Sequence, residues 1–236
     1  NDRVFQVHLD LDQIKDFNET IFKIKNILNL TNNELKKIYR EKERLKPWDT
    51  LVASDNLNWE QFSKLNLFLH DLEGVKPVVS SSRFYPYNND LVHVVGYVGA
   101  ASQKDIERKD VIKENLVPGL KVGKSGIEFA KETQLIGRYG IKRYEVNSSG
   151  KRISQIDYIK ETQGEKIKLT VDLEAQQLAQ ELLKGKAGSI SAMDIYTGEI
   201  IAMASSPTYD PNKFTHGIGH KDWGEIRDDP LKPLVN

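Results

Sequence analysis

Three short motifs in this sequence combine serine with lysine, aspartate or glycine in the way that acyl transfer through a serine requires. Ser148-Ser149-Gly150-Lys151 has the Ser-x-x-Lys spacing, in which a lysine amine takes the proton of an attacking serine hydroxyl. Ser54-Asp55-Asn56 and Lys124-Ser125-Gly126 have the form of the second and third elements that accompany such a nucleophile. Taken alone, the three motifs would indicate chemistry through an acyl-serine.

The positions of these motifs argue against that chemistry. Ser148 and Lys151 fall in a polar, glycine-containing stretch between two alternating runs, which predicts a hairpin turn. A turn does not place the two side chains one helical turn apart, and the nucleophile element comes last along the chain instead of first. We interpret Ser148 as a turn residue and Ser54 and Lys124 as helix-boundary residues. We therefore predict no catalytic residue in this chain.

Two histidines and one carboxylate within an apolar run are further candidate sites. His216 and His220 are four residues apart and could share a metal ion on a helix, but the two glycines between them predict a loop. Asp194 interrupts an apolar run, and we expect it to hydrogen-bond the turn at Thr197-Gly198. The sequence accordingly predicts no metal site and no cofactor.

Aromatic residues cluster between positions 84 and 97, at Phe84, Tyr85, Tyr87 and Tyr97. Such rings could stack on nucleic-acid bases, but 34 Lys and Arg balance 34 Asp and Glu, so the net charge is zero. A neutral chain lacks the basic surface that nucleic-acid binding needs. We interpret the rings as core and groove residues and predict no nucleic-acid partner.

Length and composition set limits on the fold. With 236 residues, of which 39% are hydrophobic, the chain can form one large domain or two ordinary ones. No run approaches 18 apolar residues, so we predict no transmembrane helix within this sequence. The absence of cysteine excludes disulfides and thiolate metal sites and suits an oxidising compartment. Because the sequence opens without methionine, we expect an excised segment whose preceding part could carry an anchoring element.

The first half of the sequence predicts a mixture of strands and amphipathic helices. Val4 to Leu9 alternates with period two, and Thr31 to Glu34 forms a capping box that opens a helix through about Leu45. The other elements predicted by spacing and caps are a strand at 51–53, a helix capped by Asn58 that buries Phe62, Leu65, Phe68 and Leu69, an extended segment at 75–80, and helices at 89–97, 103–113 and 126–136.

The second half predicts two hairpins and one helix. The hairpins join 139–146 to 153–160 and 189–195 to 199–204. Between them lie a predicted strand at 166–171 and a helix, capped by Asp172, whose inward residues are Leu173, Leu178, Leu182 and Leu183. The fold class is α+β, and a polar link at 162–165 divides the chain into domains 1–164 and 165–236.

The last seventy residues resemble a known family. Leu169 to Gln176 looks like the opening of the transpeptidase domain of penicillin-binding proteins, and Ser191 to Ser205 is similar to that domain's first sheet hairpin. Ser206 to Asn212 follows as in the family, and Pro233 to Asn236 resembles the stretch shortly before its nucleophile helix. Upstream, Arg83 to Tyr87, His93 to Gly99 and Gly123 to Glu128 resemble the non-catalytic region of class B members, of the elongation-specific penicillin-binding protein 2 type.

The resemblance implies a fold and an activity. The fold would be an elongated, non-catalytic pedestal domain with β-hairpins and short helices, followed by the first strand, helix and hairpin of a transpeptidase domain. The parent protein would be a D,D-transpeptidase on the periplasmic side of the bacterial inner membrane that cross-links peptidoglycan and is blocked by β-lactams. The family's nucleophile would lie beyond Asn236, and its membrane anchor before Asn1, so no catalytic residue is carried over.

The resemblance also implies partners. The family's pedestal meets the membrane-anchored shape scaffold MreC and the rod-complex glycosyltransferase, and we expect docking within about 46–115. The candidate partner-binding residues are Arg83, Tyr85, Tyr87 and Tyr97. Two alternatives remain for this segment: an autonomous module that binds peptidoglycan, or a spacer that sets the height of the catalytic domain above the membrane.

Overall fold

Contacts within the computed structural model, which describes residues 2–146 and 152–235, divide the chain into two units. Unit 1 comprises Asn1–Phe84 and Val117–Gly119, and unit 2 comprises Tyr85–Leu116 and Leu120–Asn236. Both units combine helices with antiparallel strands, which confirms the predicted α+β class. The predicted division of domains at residue 164 remains a prediction. Over the described ranges, no helix is both long enough and apolar enough to span a membrane.

Unit 1 is a three-stranded antiparallel sheet with helices packed against it. Its middle strand is the first in the chain, and the sheet order is β2-β1-β3. The elements are β1 (Asp2–Asp10), α1 (Phe17–Leu28), α2 (Asn32–Arg44), β2 (Thr50–Leu57), α3 (Trp59–Leu67) and β3 (Val75–Ser82). The strands predicted at 4–9 and 75–80 and the helix opened by Thr31 are confirmed.

The helices of unit 1 begin at side-chain caps. Asp16, Thr31 and Asn58 each accept a hydrogen bond from the backbone N–H three residues further on. Thr31 and Asn58 form full capping boxes with Glu34 and Gln61. Each cap satisfies donors that the first turn of a helix leaves free, so the sequence itself fixes where these helices begin.

The core of unit 1 lies between the sheet and the helices. Val7 and Leu9 point to this side of β1, where they meet Ile24 and Leu28 of α1 and Leu65 of α3. All five side chains are almost completely buried. The alternation of β1 therefore supplies the sheet's share of the core, as the period-two pattern predicts.

The other face of β1 is polar. The Asp10 carboxylate accepts hydrogen bonds from Thr50 Oγ1, at 2.8 Å, and from Lys76 Nζ. His8 is hydrogen-bonded to the Gln6 side chain at 3.0 Å. Burial lowers the pKa of His8, and the nearby Asp10 carboxylate offsets this only in part.

Two predictions in unit 1 are wrong. Ser54, interpreted as a helix-boundary residue, lies inside β2, because the pairing of β2 with β1 continues to Leu57. Phe68, predicted to face the core, is exposed, because α3 ends at Leu67 and the chain turns away there. The helix itself and the burial of Leu65 are as predicted.

Unit 2 contains three separate antiparallel strand pairs joined by short helices. The pairs are β4 with β5, β6 with β7, and β8 with β9. The elements are α4 (Val92–Val95), β4 (Val98–Ala100), α5 (Gln103–Arg108), α6 (Asp110–Glu114), β5 (Lys121–Gly123), α7 (Gly126–Ala130), α8 (Glu132–Leu135), β6 (Ile141–Val146), β7 (Arg152–Ile159), α9 (Leu173–Leu182), β8 (Gly188–Met193), β9 (Ile200–Ser206), α10 (Asn212–Thr215) and α11 (His220–Arg227).

Several predicted elements of unit 2 differ in length. The helix predicted at 89–97 is shorter and ends at Gly96, whose positive φ stops it, and β4 begins two residues later. The helices predicted at 103–113 and 126–136 are each broken into two, at Lys109 and Lys131. No strand forms over residues 166–171, because those residues make only isolated hydrogen bonds to β9 and no ladder.

The final helix and hairpins follow the prediction in outline. Asp172 caps α9, as predicted, but Leu178 and Leu182 are exposed, and the buried positions are Gln176, Ala179 and Leu183. Both predicted hairpins are present. The turn that contains Ser148 and Lys151 lies outside the described residues.

The core of unit 1 gives a direct test of this packing. Ile24→Ala should lower the free energy of unfolding of unit 1 by about 2–5 kcal/mol, because it leaves a cavity in a fully buried site. Phe22→Ala, on the same helix with a side chain that is 64% exposed, is the matched control and should change it by about 0.5 kcal/mol or less. Urea unfolding measures both, and equal losses would contradict the packing described.

Candidate functional site

An aromatic cluster in unit 2 joins the segment 85–98 to the segment 205–215. The ring of Tyr97 lies 4.3 Å from that of Phe214 and 6.0 Å from that of Tyr209, measured between centroids. Tyr209 and Phe214 are 5.5 Å apart, and Val92 is buried beside them. Burial raises the pKa of Tyr97 and that of Tyr209, the latter to about 12, so both phenols stay neutral at physiological pH.

The side-chain amide of Asn212 forms hydrogen bonds that connect the segments 85–98 and 205–215. Its Oδ1 accepts a hydrogen bond from the Tyr85 backbone N–H at 2.9 Å, and its Nδ2 lies 3.0 Å from the Tyr85 carbonyl oxygen. Nδ2 is also within hydrogen-bond distance of Asn88 Oδ1, at 2.8 Å, and Asp210 Oδ1, at 3.0 Å. One amide thus completes the backbone hydrogen bonding of Tyr85 where no strand partner exists.

Gln176 makes a second connection of this type. Its side chain is 1% exposed, and its Nε2 donates to the carbonyl oxygens of Asp90, at 2.7 Å, and Met203, at 3.0 Å. Its Oε1 accepts from the Met203 backbone N–H at 2.7 Å. The amide thus ties α9 at once to β9 and to the segment that precedes α4.

The four predicted partner-binding residues have different surroundings. Tyr85 is buried, and its hydroxyl lies 3.3 Å from Glu128 Oε1 and accepts from the Val98 backbone N–H at 3.1 Å. Tyr97 is half-buried in the aromatic cluster, and Tyr87 has an exposed ring. Arg83 is half-buried and belongs to unit 1. Their role in binding a partner remains a prediction, and Tyr87 has the most accessible side chain of the three tyrosines.

A network of charged side chains holds α5, β5 and α8 together. The carboxylate of Glu132 is buried, accepts from Arg108 Nη2 at 2.6 Å and accepts from the Gly123 backbone N–H at 2.8 Å. Asp105 forms an ion pair with Lys124 Nζ at 2.5 Å. Each buried charge therefore has an opposite charge or a backbone donor beside it, which burial in a protein requires.

Opposing effects set the pKa of Asp105. Burial alone raises it, but hydrogen bonds from the Lys124 ammonium and from Ser102 outweigh burial and lower the pKa to about 2. Lys124 is the lysine of the Lys-Ser-Gly motif. Its side chain takes part in a structural ion pair with Asp105. This agrees with the interpretation that the motif is not catalytic.

Close packing of the backbone explains why the third residue of that motif, Gly126, is a glycine. A Cβ on Gly126 would lie 2.6 Å from the backbone of Gly96 and Val94, and a Cβ on Gly96 would lie 2.0 Å from the Ser125 carbonyl oxygen. Both glycines also have positive φ, +59° and +79°. The motif therefore lets two backbone segments pass at close range.

The remaining candidates have structural surroundings. Asp194 accepts from the backbone N–H groups of Tyr196 and Thr197, at 2.7 and 2.9 Å, which confirms the predicted turn and lowers the pKa of Asp194. His216 Nδ1 lies 3.2 Å from Lys121 Nζ, and His220 begins α11. Within residues 2–146 and 152–235, no cluster of three His, Asp or Glu side chains is arranged to hold a metal ion.

A cleft of about 700 Å³ opens beside the junction of these segments. Its walls come from 86–90 and 208–210, together with Gln177, Lys213 and Ile226. The residues that shape it, Asn212 and Gln176, were not predicted from the sequence. Both lie in segments that carry the family resemblance, but no hydrophobic pattern marks a glutamine or asparagine as buried.

The comparisons identify the family. A model described as the penicillin-binding protein dimerisation domain matches residues 1–169. The chain belongs to the family of penicillin-binding proteins that carry this domain, which confirms the resemblance inferred from the sequence.

Individual proteins and solved structures within this family are similar to the chain. Peptidoglycan D,D-transpeptidase MrdA of Escherichia coli K12 is 32% identical across 100% of this chain, and that of Haemophilus influenzae is 30% identical across 98%. The chain spans 38% and 36% of those two proteins. A solved complex between penicillin-binding protein PBP2 and MreC from Helicobacter pylori matches with a TM-score of 0.79 at 26% identity, over 100% of this chain and 44% of that one.

The charged network predicts a pH-dependent contribution to stability. Asp105→Asn should lower the free energy of unfolding by about 1–3 kcal/mol near neutral pH, because it leaves the Lys124 ammonium without its partner. Because the folded-state pKa of Asp105 lies below its ordinary value of 3.8, this contribution is complete above pH 3.8 and disappears as the pH falls through about 2.

Denaturant titrations at a series of pH values measure this difference. Asp110→Asn is the matched control, because Asp110 is an exposed carboxylate paired with Lys113 within α6, and the loss of stability should be small at every pH. A deficit of Asp105→Asn that stayed constant down to pH 2 would contradict the assignment.

Proposed function

We propose that this chain is the pedestal and the beginning of the transpeptidase part of a periplasmic peptidoglycan D,D-transpeptidase that acts in cell elongation. Residues 1–164 would form the pedestal and residues 165–236 the first elements of the catalytic domain. The match of residues 1–169 to the dimerisation domain and the similarity to MrdA proteins support this proposal. Since the chain covers 38% of its Escherichia coli relative, the activity belongs to a longer protein.

The observation that carries a positioning role is the pair of amides at Gln176 and Asn212. Both belong to residues 165–236, and both hydrogen-bond the backbone of residues 85–90. Buried hydrogen bonds with good geometry at two separate points limit relative movement of the segments they join. The pedestal would thereby hold the first elements of the catalytic domain in a fixed orientation.

This segment is proposed to be inactive by itself. A serine nucleophile needs a lysine at one helical turn whose amine is unprotonated, together with donors for the oxyanion. The Nζ of Lys124 is engaged in an ion pair with the Asp105 carboxylate, and Ser54 lies within β2. The catalytic serine and the site that β-lactams acylate would therefore belong to the part of the longer protein outside this chain.

Incubation with a fluorescent penicillin tests this inactivity. We expect the chain to remain unlabelled, and its intact mass to be unchanged, while the longer protein becomes labelled. The Ser148→Ala variant of the chain is the control. A stoichiometric mass increase that Ser148→Ala abolishes would contradict the proposal and make Ser148 a nucleophile.

An aromatic patch in unit 1, in which Trp59 and Val79 are exposed and Phe5 and Phe62 are half-buried, is the proposed docking surface for MreC. The patch consists of Phe5, Trp59, Phe62 and Val79. The ring of Phe5 lies 4.5 Å from that of Phe62 and 5.4 Å from that of Trp59, and Val79 is its direct cross-strand neighbour. Trp59 is 67% exposed. Exposed aromatic residues that neighbouring rings hold in place are typical of interface anchors.

MreC is the proposed occupant because the Helicobacter pylori structure that matches this whole chain is a complex with MreC. Three of the four patch residues, Trp59, Phe62 and Val79, also lie within the predicted docking region of 46–115. A membrane anchor before residue 1, placement at the periplasmic side of the inner membrane and contact with the rod-complex glycosyltransferase complete the proposal.

Binding of the MreC periplasmic domain tests the patch. Trp59→Ala should weaken binding by about tenfold or more, because a clustered aromatic anchor contributes roughly 1–2 kcal/mol or more. Trp48→Ala is the matched control, since Trp48 is 69% exposed but contacts no other ring among the described residues. Isothermal titration calorimetry measures both, and equal effects would contradict the assignment.

The same titration with Tyr87→Ala tests the sequence-predicted set of Arg83, Tyr85, Tyr87 and Tyr97. A weakening of about fivefold, equivalent to roughly 1 kcal/mol, is expected if Tyr87 is an anchor. Unchanged affinity would remove Tyr87 from the MreC surface and leave the aromatic patch as the proposed site.

A further inference from the structure

The cleft in unit 2 has the dimensions of a small-molecule site. Its volume of about 700 Å³ lies inside the range of roughly 300–1,000 Å³ that such sites occupy. Two segments distant in sequence face each other across it, one containing Tyr87 and Asn89 and the other containing Thr208 and Asp210. Every lining residue belongs to unit 2.

The walls of the cleft are fixed from behind. Asn88 is hydrogen-bonded by the Asn212 amide at 2.8 Å, and the Asp90 carbonyl oxygen is held by Gln176 at 2.7 Å. Gln177 Nε2 donates to the Asp90 carboxylate at 3.0 Å. A ligand would therefore meet a surface that is already ordered and would lose little affinity to ordering it.

The groups that face the opening have unused hydrogen-bonding capacity. The Tyr87 hydroxyl, the Asn89 amide and the Thr208 hydroxyl have no hydrogen-bond partner among the described residues. The carboxylates of Asp90 and Asp210 each keep one oxygen without a hydrogen bond in this part of the chain. Hydroxyls, an amide and carboxylates offer both donors and acceptors to a ligand.

The charge of the lining excludes one class of ligand. Two carboxylates face one ammonium, and that ammonium, Lys213, is already paired with Asp222. A phosphate or a free carboxylate would meet net repulsion here. The lining suits a neutral ligand that is rich in hydroxyl groups and carries an apolar face.

We propose that this cleft binds a neutral N-acetylated saccharide of the kind that forms the glycan strand of peptidoglycan. The ring of Tyr87, 44% exposed, provides a flat apolar face for the C–H groups of a pyranose. The two carboxylates accept from sugar hydroxyls, and Asn89 pairs with the acetamido group. The choice of a peptidoglycan glycan rests on the proposed function, whereas the saccharide class rests on the lining.

The proposed site has a consequence for the proposed activity. The cleft is lined both by residues before position 91 and by residues after position 207. A glycan strand held there would be fixed to the first elements of the catalytic domain. The position of the substrate relative to the active site would then be fixed as well.

The test is a titration of the isotope-labelled whole chain with the neutral disaccharide N,N′-diacetylchitobiose, using amide chemical shifts. We expect saturable shifts centred on residues 86–90 and 208–213. Tyr87→Ala and Asn89→Ala should each weaken binding by about fivefold to tenfold. Tyr196→Ala, which removes a ring that is 92% exposed in the β8–β9 turn, should leave it unchanged.

The proposal would be overturned by the absence of saturable shifts, by equal weakening from Tyr196→Ala, or by tighter binding of a tetralysine peptide at the same residues. Binding by this chain that is lost in the longer protein would also overturn it, because the cleft would then be covered. Titration of the same samples with MreC distinguishes failure of the saccharide site from failure of the proposed function. Absence of saccharide binding by the unsubstituted chain, with MreC binding intact, overturns the saccharide site alone.

Discussion

Gln176 and Asn212 satisfy buried backbone groups that have no strand partner, and unit 2 depends on this kind of hydrogen bond. Its strands, over the residues that the structure describes, form three separate pairs, so no continuous sheet ladder there collects the polar groups of the connecting segments. Buried N–H and carbonyl groups must nevertheless be paired. Side-chain amides take that task at residues 85, 90 and 203, and the Glu132 carboxylate takes it at Gly123. The aromatic cluster and the cleft are both held in place by these connections.

The buried carboxylate of Glu132 is subject to the same requirement that a buried polar group have a partner, and here the partners include a charged side chain. A carboxylate that is nearly completely buried is tolerable because Arg108 and a backbone N–H meet it directly. Removal of one partner leaves the other uncompensated, so the network gives a defined geometry at the expense of tolerance to substitution. The two glycines at 96 and 126 add a steric condition, because any larger residue would collide with the facing backbone.

The sequence was informative wherever a local rule decides the structure. The caps at Thr31, Asn58 and Asp172 and the alternation of β1 were predicted correctly, because each depends on residues within a few positions of one another. The predictions failed where a distant contact decides. Residues 166–171 have strand-like composition but no ladder partner, and Leu178 and Leu182 follow helical spacing on a face of α9 that remains exposed. The burial of Gln176 and the hydrogen bonds of the half-buried Asn212 could not be predicted for the same reason, since their partners lie 86 and 127 residues away.

Those separations also bear on how the chain acquires its structure. Most of unit 1 is contained in the first 84 residues of the chain, so its sheet can form while the remainder is still being synthesised. The hydrogen bonds of Asn212 close a loop of 127 residues, and loop closure over such distances slows folding. The segment from Tyr85 to Val98 must therefore wait, with Tyr85 and Tyr97 uncovered, until residue 214 has emerged. During that interval the chain would present the apolar rings of Tyr85 and Tyr97 to solvent, so this segment is the part of unit 2 whose burial depends on the last residues to be synthesised.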